Sequence, residues 1–150
     1  MDNENELFNK EFYQALEKSI AMLPQPVREE LYRPCAEGCV KRYVLSEQQR
    51  QFDECGKDLD AQYEKYGRSP YFFADIIEKG HVYEIGYPTE QCVCPMVASG
   101  MAASAVHCEC SRQSMLCVLK TLLPDKKITV EMLHSVLTGG KECRFRAIVE

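Results

Sequence analysis

Nine cysteines occupy this 150-residue chain, and four of them form two C-x-C pairs, Cys92-Val-Cys94 and Cys108-Glu-Cys110, thirteen residues apart. Thiols at this density suit three kinds of chemistry: ligation of zinc or another thiophilic metal, reaction as a nucleophile or redox group, and packing as small buried hydrophobes. Four thiolates would close a tetrahedral metal site, but the spacing restricts how. Alternate residues of a strand lie roughly 6.5–7 Å apart on one face, whereas two sulfurs on one zinc lie roughly 4 Å apart. Neither pair therefore chelates an ion by itself in extended backbone, and Pro95 holds Cys94 extended. If the two segments paired across a sheet, with β-carbons about 4.5–5.5 Å apart, Cys92, Cys94, Cys108 and Cys110 would converge, three or four of them holding a metal with Cys143 or His107 as a further candidate ligand. For nucleophilic chemistry the candidates are Cys110 and then Cys108. Cys110 precedes Ser111, the expected cap of a helix whose amide groups and dipole favour a thiolate. His107 adjoins Cys108, but on a strand the two side chains point to opposite faces, so His107 is not a ready-made base for it.

The remaining cysteines and acids carry less. Cys35 and Cys39, four apart, share a face if helical; Cys55 and Cys117 fall on apolar stripes and read as core. Glu84, Glu109 and Glu131 are acid–base candidates that solvated strand faces explain equally well. The chain holds no G-x-x-x-x-G-K phosphate loop, no G-x-S-x-G elbow and no H-E-x-x-H metal helix.

The elements that must position these thiols change period near residue 80. Phe8, Phe12, Ala15, Leu16, Ile20 and Leu23 recur at helical spacing until Pro24. A short second helix is expected from Pro26 to about Pro34. Ser46 and Gln49 make a capping-box signal for one long helix with Phe52, Cys55, Leu59, Tyr63 and Tyr66 on its stripe, ending at Gly67. Ser69-Pro70 suggests a further helix over YFFADIIEKG. From residue 81 the period is two. His81, Tyr83, Ile85 and Tyr87 share one strand face, KITVEML alternates, and Cys143, Phe145, Ala147 and Val149 alternate with Glu142, Arg144, Arg146 and Ile148. Gly139-Gly140 turns the last two strands into a hairpin, and a helix over about 111–123 interrupts this half. The expected fold is a single α+β domain, with a helical part over 1–79 packed on an antiparallel sheet over 80–150 that carries one inserted helix.

Composition narrows the partners. A net charge of −5 argues against nucleic acid, which needs clustered Lys and Arg, and no apolar run is long enough to span a membrane. The acidic start MDNENELFNKEF is the reverse of a signal peptide, so a cytoplasmic location with reduced thiols is expected. A homo-oligomer is compatible with this composition.

The order of motifs from residue 80 to 149 resembles the 2-amino-thiazoline-carboxylate hydrolase-like proteins and is similar to the related four-vinyl-reductase ligand-binding domains. The resemblance rests on a C-x-C segment, a cysteine-bearing segment leading into a helix, and LTGGKECRFRAIV, with Gly139, Gly140, Cys143 and Phe145 in the closing strand. It implies a ligand pocket between an antiparallel sheet and helices. One branch implies opening of a sulfur-containing ring with cysteine involvement; the other implies binding of a small hydrophobic or tetrapyrrole-related molecule, sometimes with metal. The doubled cysteines of HCECS depart from the hydrolase pattern. Three functions follow as expectations: a thiol-lined small-molecule or metal-binding domain, a hydrolase of small cyclic C–N or thiazoline compounds with a cysteine nucleophile, and a non-catalytic domain whose helical half binds a partner.

Overall fold

The computed structural model of the protein describes residues 3–150. Four helices, α1 (Asn3–Ala21), α2 (Gln25–Tyr43), α3 (Leu45–Glu54) and α4 (Leu59–Tyr66), precede a hairpin of β1 (Phe73–Glu78) and β2 (Val82–Tyr87). A segment containing the single-turn helix α5 (Pro95–Ala98) leads to α6 (Cys108–Leu122), and the chain closes with β3 (Ile128–His134) and β4 (Cys143–Val149). The strands form one antiparallel sheet in the order β1-β2-β4-β3. The fold is therefore α+β, with helices in the first half and one long helix inserted between the two strand pairs. No described helix is long and apolar enough to cross a membrane.

Period-two burial explains the sheet. Cys143, Phe145, Ala147 and Val149 of β4 are all buried, and the register sets Ile85 opposite Phe145 and Tyr83 opposite Ala147. Met115, Leu119 and Leu122 of α6 cover this face together with Phe52, Leu59 and Tyr63. Helix α2 packs along α6, burying Tyr32, Ala36 and Val40. Leu119, Phe145 and Ala147 are each 1% exposed, so the centre of the core lies between α6 and the middle of β4.

Six expectations are corrected. Helix α2 does not end at Pro34 but runs on to Tyr43; the hydrogen bond lost at Pro34 is outweighed by the buried face the helix lays on α6. The expected long helix is two, broken where Gly56 and Lys57 adopt positive φ. Asp58 starts the second by accepting from the Asp60 and Ala61 amides at 3.0 and 3.3 Å. Ser46 caps neither piece, since α3 begins from Val44 with no side-chain cap. YFFADIIEKG is strand β1 with its turn at Gly80, because Phe73 and Ala74 find burial against β2 and α4 that a solvated helix would not supply. Helix α6 begins at Cys108 rather than Ser111, so Cys108 and Cys110 lie on a helix and the cross-strand convergence of the two C-x-C pairs does not form. Finally, Phe8, Phe12 and Leu16 of α1 face solvent, and the buried residue of that helix is Glu17.

Candidate thiol site

The segment between β2 and α6 is held over the molecule by polar contacts from α1. The buried Glu17 carboxylate accepts from the Ala103 amide at 2.9 Å and from the Ser104 amide at 3.3–3.4 Å. Charge-assisted bonds of this kind are the strong ones, and they fix the backbone just ahead of His107. Gln14 adds a bond from its side-chain amide to the Gly100 carbonyl at 3.2 Å. The Ser104 hydroxyl then accepts from the Val106 amide at 3.2 Å, capping the short turn that delivers His107 to the start of α6.

His107 is 5% exposed and joins elements far apart in sequence. Its Nε2 lies 3.3 Å from Cys94 Sγ and its Nδ1 3.3 Å from the Tyr13 hydroxyl. The Tyr32 ring meets the imidazole edge-on, with centroids 5.8 Å apart and planes at 90°. The Tyr32 hydroxyl itself is buried and bonds to no other described residue. Cys94 sits immediately before α5, its carbonyl accepting from the Val97 and Ala98 amides. Pro95 at the first helical position needs no partner for a missing N–H, which makes this tight turn inexpensive.

The Cys94 thiol is set apart by its electrostatics. Burial is the largest single influence and raises its pKa. The His107 hydrogen bond, the Met96 and Val97 amides and the His107 charge together outweigh burial and hold the pKa below the ordinary thiol value. In the thiolate–imidazolium form both ring nitrogens donate, Nε2–H to the Cys94 sulfur and Nδ1–H to the Tyr13 oxygen. This arrangement, a thiol with a base in reach and the base oriented by a third group, is that of a nucleophilic cysteine.

The other candidate thiols lack such support. Cys110 is pushed up to about 12, first by burial and then by Cys94, Cys39 and Cys35 nearby. Burial likewise raises Cys108, which donates to the Ser135 hydroxyl at 3.3 Å, and Cys143, whose sulfur accepts from the Val136 amide at 3.5 Å. Cys92 is raised by burial as well. The five expected metal ligands thus divide: Cys94 turns to His107, Cys108 and Cys143 point to the Ser135 turn, Cys110 lies toward Cys35 and Cys39 of α2, and Cys92 is half-buried with the Cys94 backbone as its hydrogen-bond partner. Among the described residues no three Cys, His, Asp or Glu side chains are arranged to hold a metal ion, and none of the nine cysteines is in a disulfide. Glu109 pairs with Arg112, Glu84 with Arg144 and Arg146, and Glu131 with Arg146, so each carboxylate belongs to an ion-pair network, largely buried for Glu109 and Glu84 and exposed for Glu131.

A cavity of about 320 Å³ opens beside the thiols, between α2, α3, α6 and the sheet. Its wall is mostly apolar, with Tyr43, Tyr63, Phe72 and Val118 among the lining residues. Cys39 of α2 and Tyr87 at the end of β2 also line it, whereas Cys94 and His107 lie outside its wall. Ser114, also in the wall, bonds to the Cys110 carbonyl at 2.9 Å.

Comparison of the chain with protein-family models, with curated proteins and with solved structures finds no match. Functional reading therefore rests on geometry. Tyr13 gives a first check of it. Tyr13→Phe removes the bond at Nδ1 while leaving the ring, so the Cys94 alkylation rate at pH 7 is expected to fall about three- to tenfold. The unfolding midpoint should stay near that of the parent, because Tyr13 is only half-buried. An unchanged alkylation rate would show that Tyr13 does not orient His107.

Proposed function

We propose that the protein binds a small molecule in the apolar cavity and acts on it through Cys94, as a hydrolase of compounds with an electrophilic carbon bonded to nitrogen or sulfur. The observation that carries this reading is the Cys94–His107 pair, with Tyr13 on the second ring nitrogen. The Cys94 thiolate attacks the electrophilic carbon, forming an S–C bond. Where that carbon is an acyl carbon, its bond to the leaving nitrogen or sulfur then breaks, His107 Nε2–H passing its proton to the leaving atom, and the acyl group stays on Cys94 as a thioester. Water, deprotonated by the now neutral imidazole, then cleaves the thioester and restores the thiol. The nucleophile differs from the sequence-based candidates Cys110 and Cys108, whose raised pKa values keep them protonated near neutrality. The cavity is of the size that holds small ligands.

Trapping with p-nitrophenyl esters tests both halves. The acetyl ester is expected to give a burst of nitrophenol and one acetyl group on Cys94 by mass spectrometry. Cys94→Ser should abolish both, whereas Cys110→Ser should keep them. Val118→Trp, which fills the cavity, should slow the hexanoyl ester about tenfold more than the acetyl ester. Acylation of another cysteine would refute the nucleophile; equal slowing of both esters would refute the cavity as the binding site.

A further inference from the structure

Helix α1 turns its polar side to the thiol site and its apolar side to solvent. Phe8 and Phe12 are 61% and 63% exposed and stack with ring centroids 6.1 Å apart; Leu16 beside them is 45% exposed. Phe8, Phe12, Ala15 and Ser19 alternate steps of four and three, the spacing of a narrow seam between two paired helices. Glu4, Glu11 and Lys18 recur every seven residues along one flank of that seam. Among the described residues neither Glu11 nor Lys18 has an ion-pair partner, whereas Lys10, nearer the inner side of the helix, is paired with Glu6 at 3.2 Å.

We infer that a second copy of this chain covers this face, with α1 packed antiparallel on its counterpart about a two-fold axis. Self-complementarity is what such an axis demands, and the α1 stripe has it. Antiparallel pairing sets the large Phe12 of each copy over the small Ala15 of the other. It brings Glu11 of each copy to Lys18 of the other, giving two equivalent ion pairs that flank the aromatic layer. A parallel pairing would instead bring Glu11 to Leu16 of the other copy and leave both charges unmatched. Opposed helix dipoles favour the same direction. The association also bears on the thiol site, because the opposite side of α1 carries Tyr13 and Glu17 to His107 and its supporting segment.

Sedimentation equilibrium of the full chain over a range of concentrations tests this. The parent chain is expected to form a dimer in equilibrium with monomer. Lys18→Glu and Glu11→Lys each create two like-charge contacts and should raise the dimer dissociation constant on the order of tenfold or more. The double variant Glu11→Lys with Lys18→Glu restores opposite charges and should return the constant to near the parent value. All these side chains are exposed, so circular dichroism should show each variant folded. A parent chain that stays monomeric at every concentration, single reversals without effect, or a double variant that fails to recover would each overturn the inference. Binding of the monomer to lipid vesicles or to another protein through Phe12 would overturn it as well.

Discussion

Replacing His107 by Gln is expected to slow Cys94 alkylation at pH 7 severalfold or more, the largest loss of reactivity for any single change at the site. The sign follows from the balance at the sulfur. Burial raises the Cys94 pKa more than any other single influence, and the His107 bond, the two backbone amides and the His107 charge together reverse it. Gln leaves at most a neutral donor, so the charge contribution vanishes and burial is no longer outweighed. The inflection of rate against pH, below the ordinary thiol value in the parent, should move to that value or above it. Below the inflection each unit of upward shift lowers the thiolate fraction tenfold, which is the origin of the expected loss. His107 is buried among Tyr13, Tyr32 and Cys94, so some stability will be lost too; the pH inflection separates the two effects, because a merely loosened fold would expose the thiol and speed alkylation. An unchanged inflection would show that the imidazole does not support the thiolate.

The largest expected loss of stability is for Gly86→Ala. Gly86 lies in β2, an inner strand, between Phe73 of β1 and Arg144 of β4. A Cβ there would sit 1.8 Å from the Cys143 carbonyl oxygen, 2.8 Å from its carbonyl carbon and 2.9 Å from the Phe73 ring. Two of these atoms are backbone of the neighbouring strand, which is itself held on its far side by β3. The ring has the Arg144 guanidinium over it at 4.4 Å and cannot swing away freely. Relief requires displacing β4 next to Cys143, so a cost of about 3 kcal/mol or more is expected in urea unfolding. Gly80→Ala is the contrast. It lies at φ 73° in the β1–β2 turn with open space around it, and the expected cost is about 1 kcal/mol, from backbone conformation alone. A Gly86→Ala protein as stable as the Gly80→Ala protein would contradict the packing described.

The sheet was legible in the sequence because period-two alternation reports directly on burial: β4 buries Cys143, Phe145, Ala147 and Val149, the four residues the pattern selects. Helix ends were less legible. Pro34 and the Ser46–Gln49 pair are local signals, and tertiary packing of α2 on α6 and the break at Gly56-Lys57 overrode them. β1 was missed because Ser69-Pro70 imitates a helix start, while its strand character depends on a partner that local sequence does not contain. The site was hidden for a related reason. Reading Cys108 and Cys110 as strand residues turned attention from His107, when the useful neighbour of His107 is Cys94, thirteen positions back. A C-x-C-P turn entering a one-turn helix was the available signal, since proline at a first helical position marks the preceding residue as a cap. No spacing rule links Tyr13 or Tyr32 to His107, which lie 94 and 75 residues away. The apolar stripe of α1 was visible, but period alone does not say whether a helix turns that face to its own core or to another chain.

Cys94, rather than Cys110 or Cys108, is the thiol proposed to react. Limiting iodoacetamide at pH 6.5, followed by peptide mass spectrometry of all nine cysteines, tests it most directly. The expected result is carboxamidomethylation first at Cys94, ahead of the more exposed Cys39, whose pKa is raised by burial and by Cys94 itself. Labelling of Cys110 or Cys108 before Cys94, or labelling ordered only by exposure, would contradict the account.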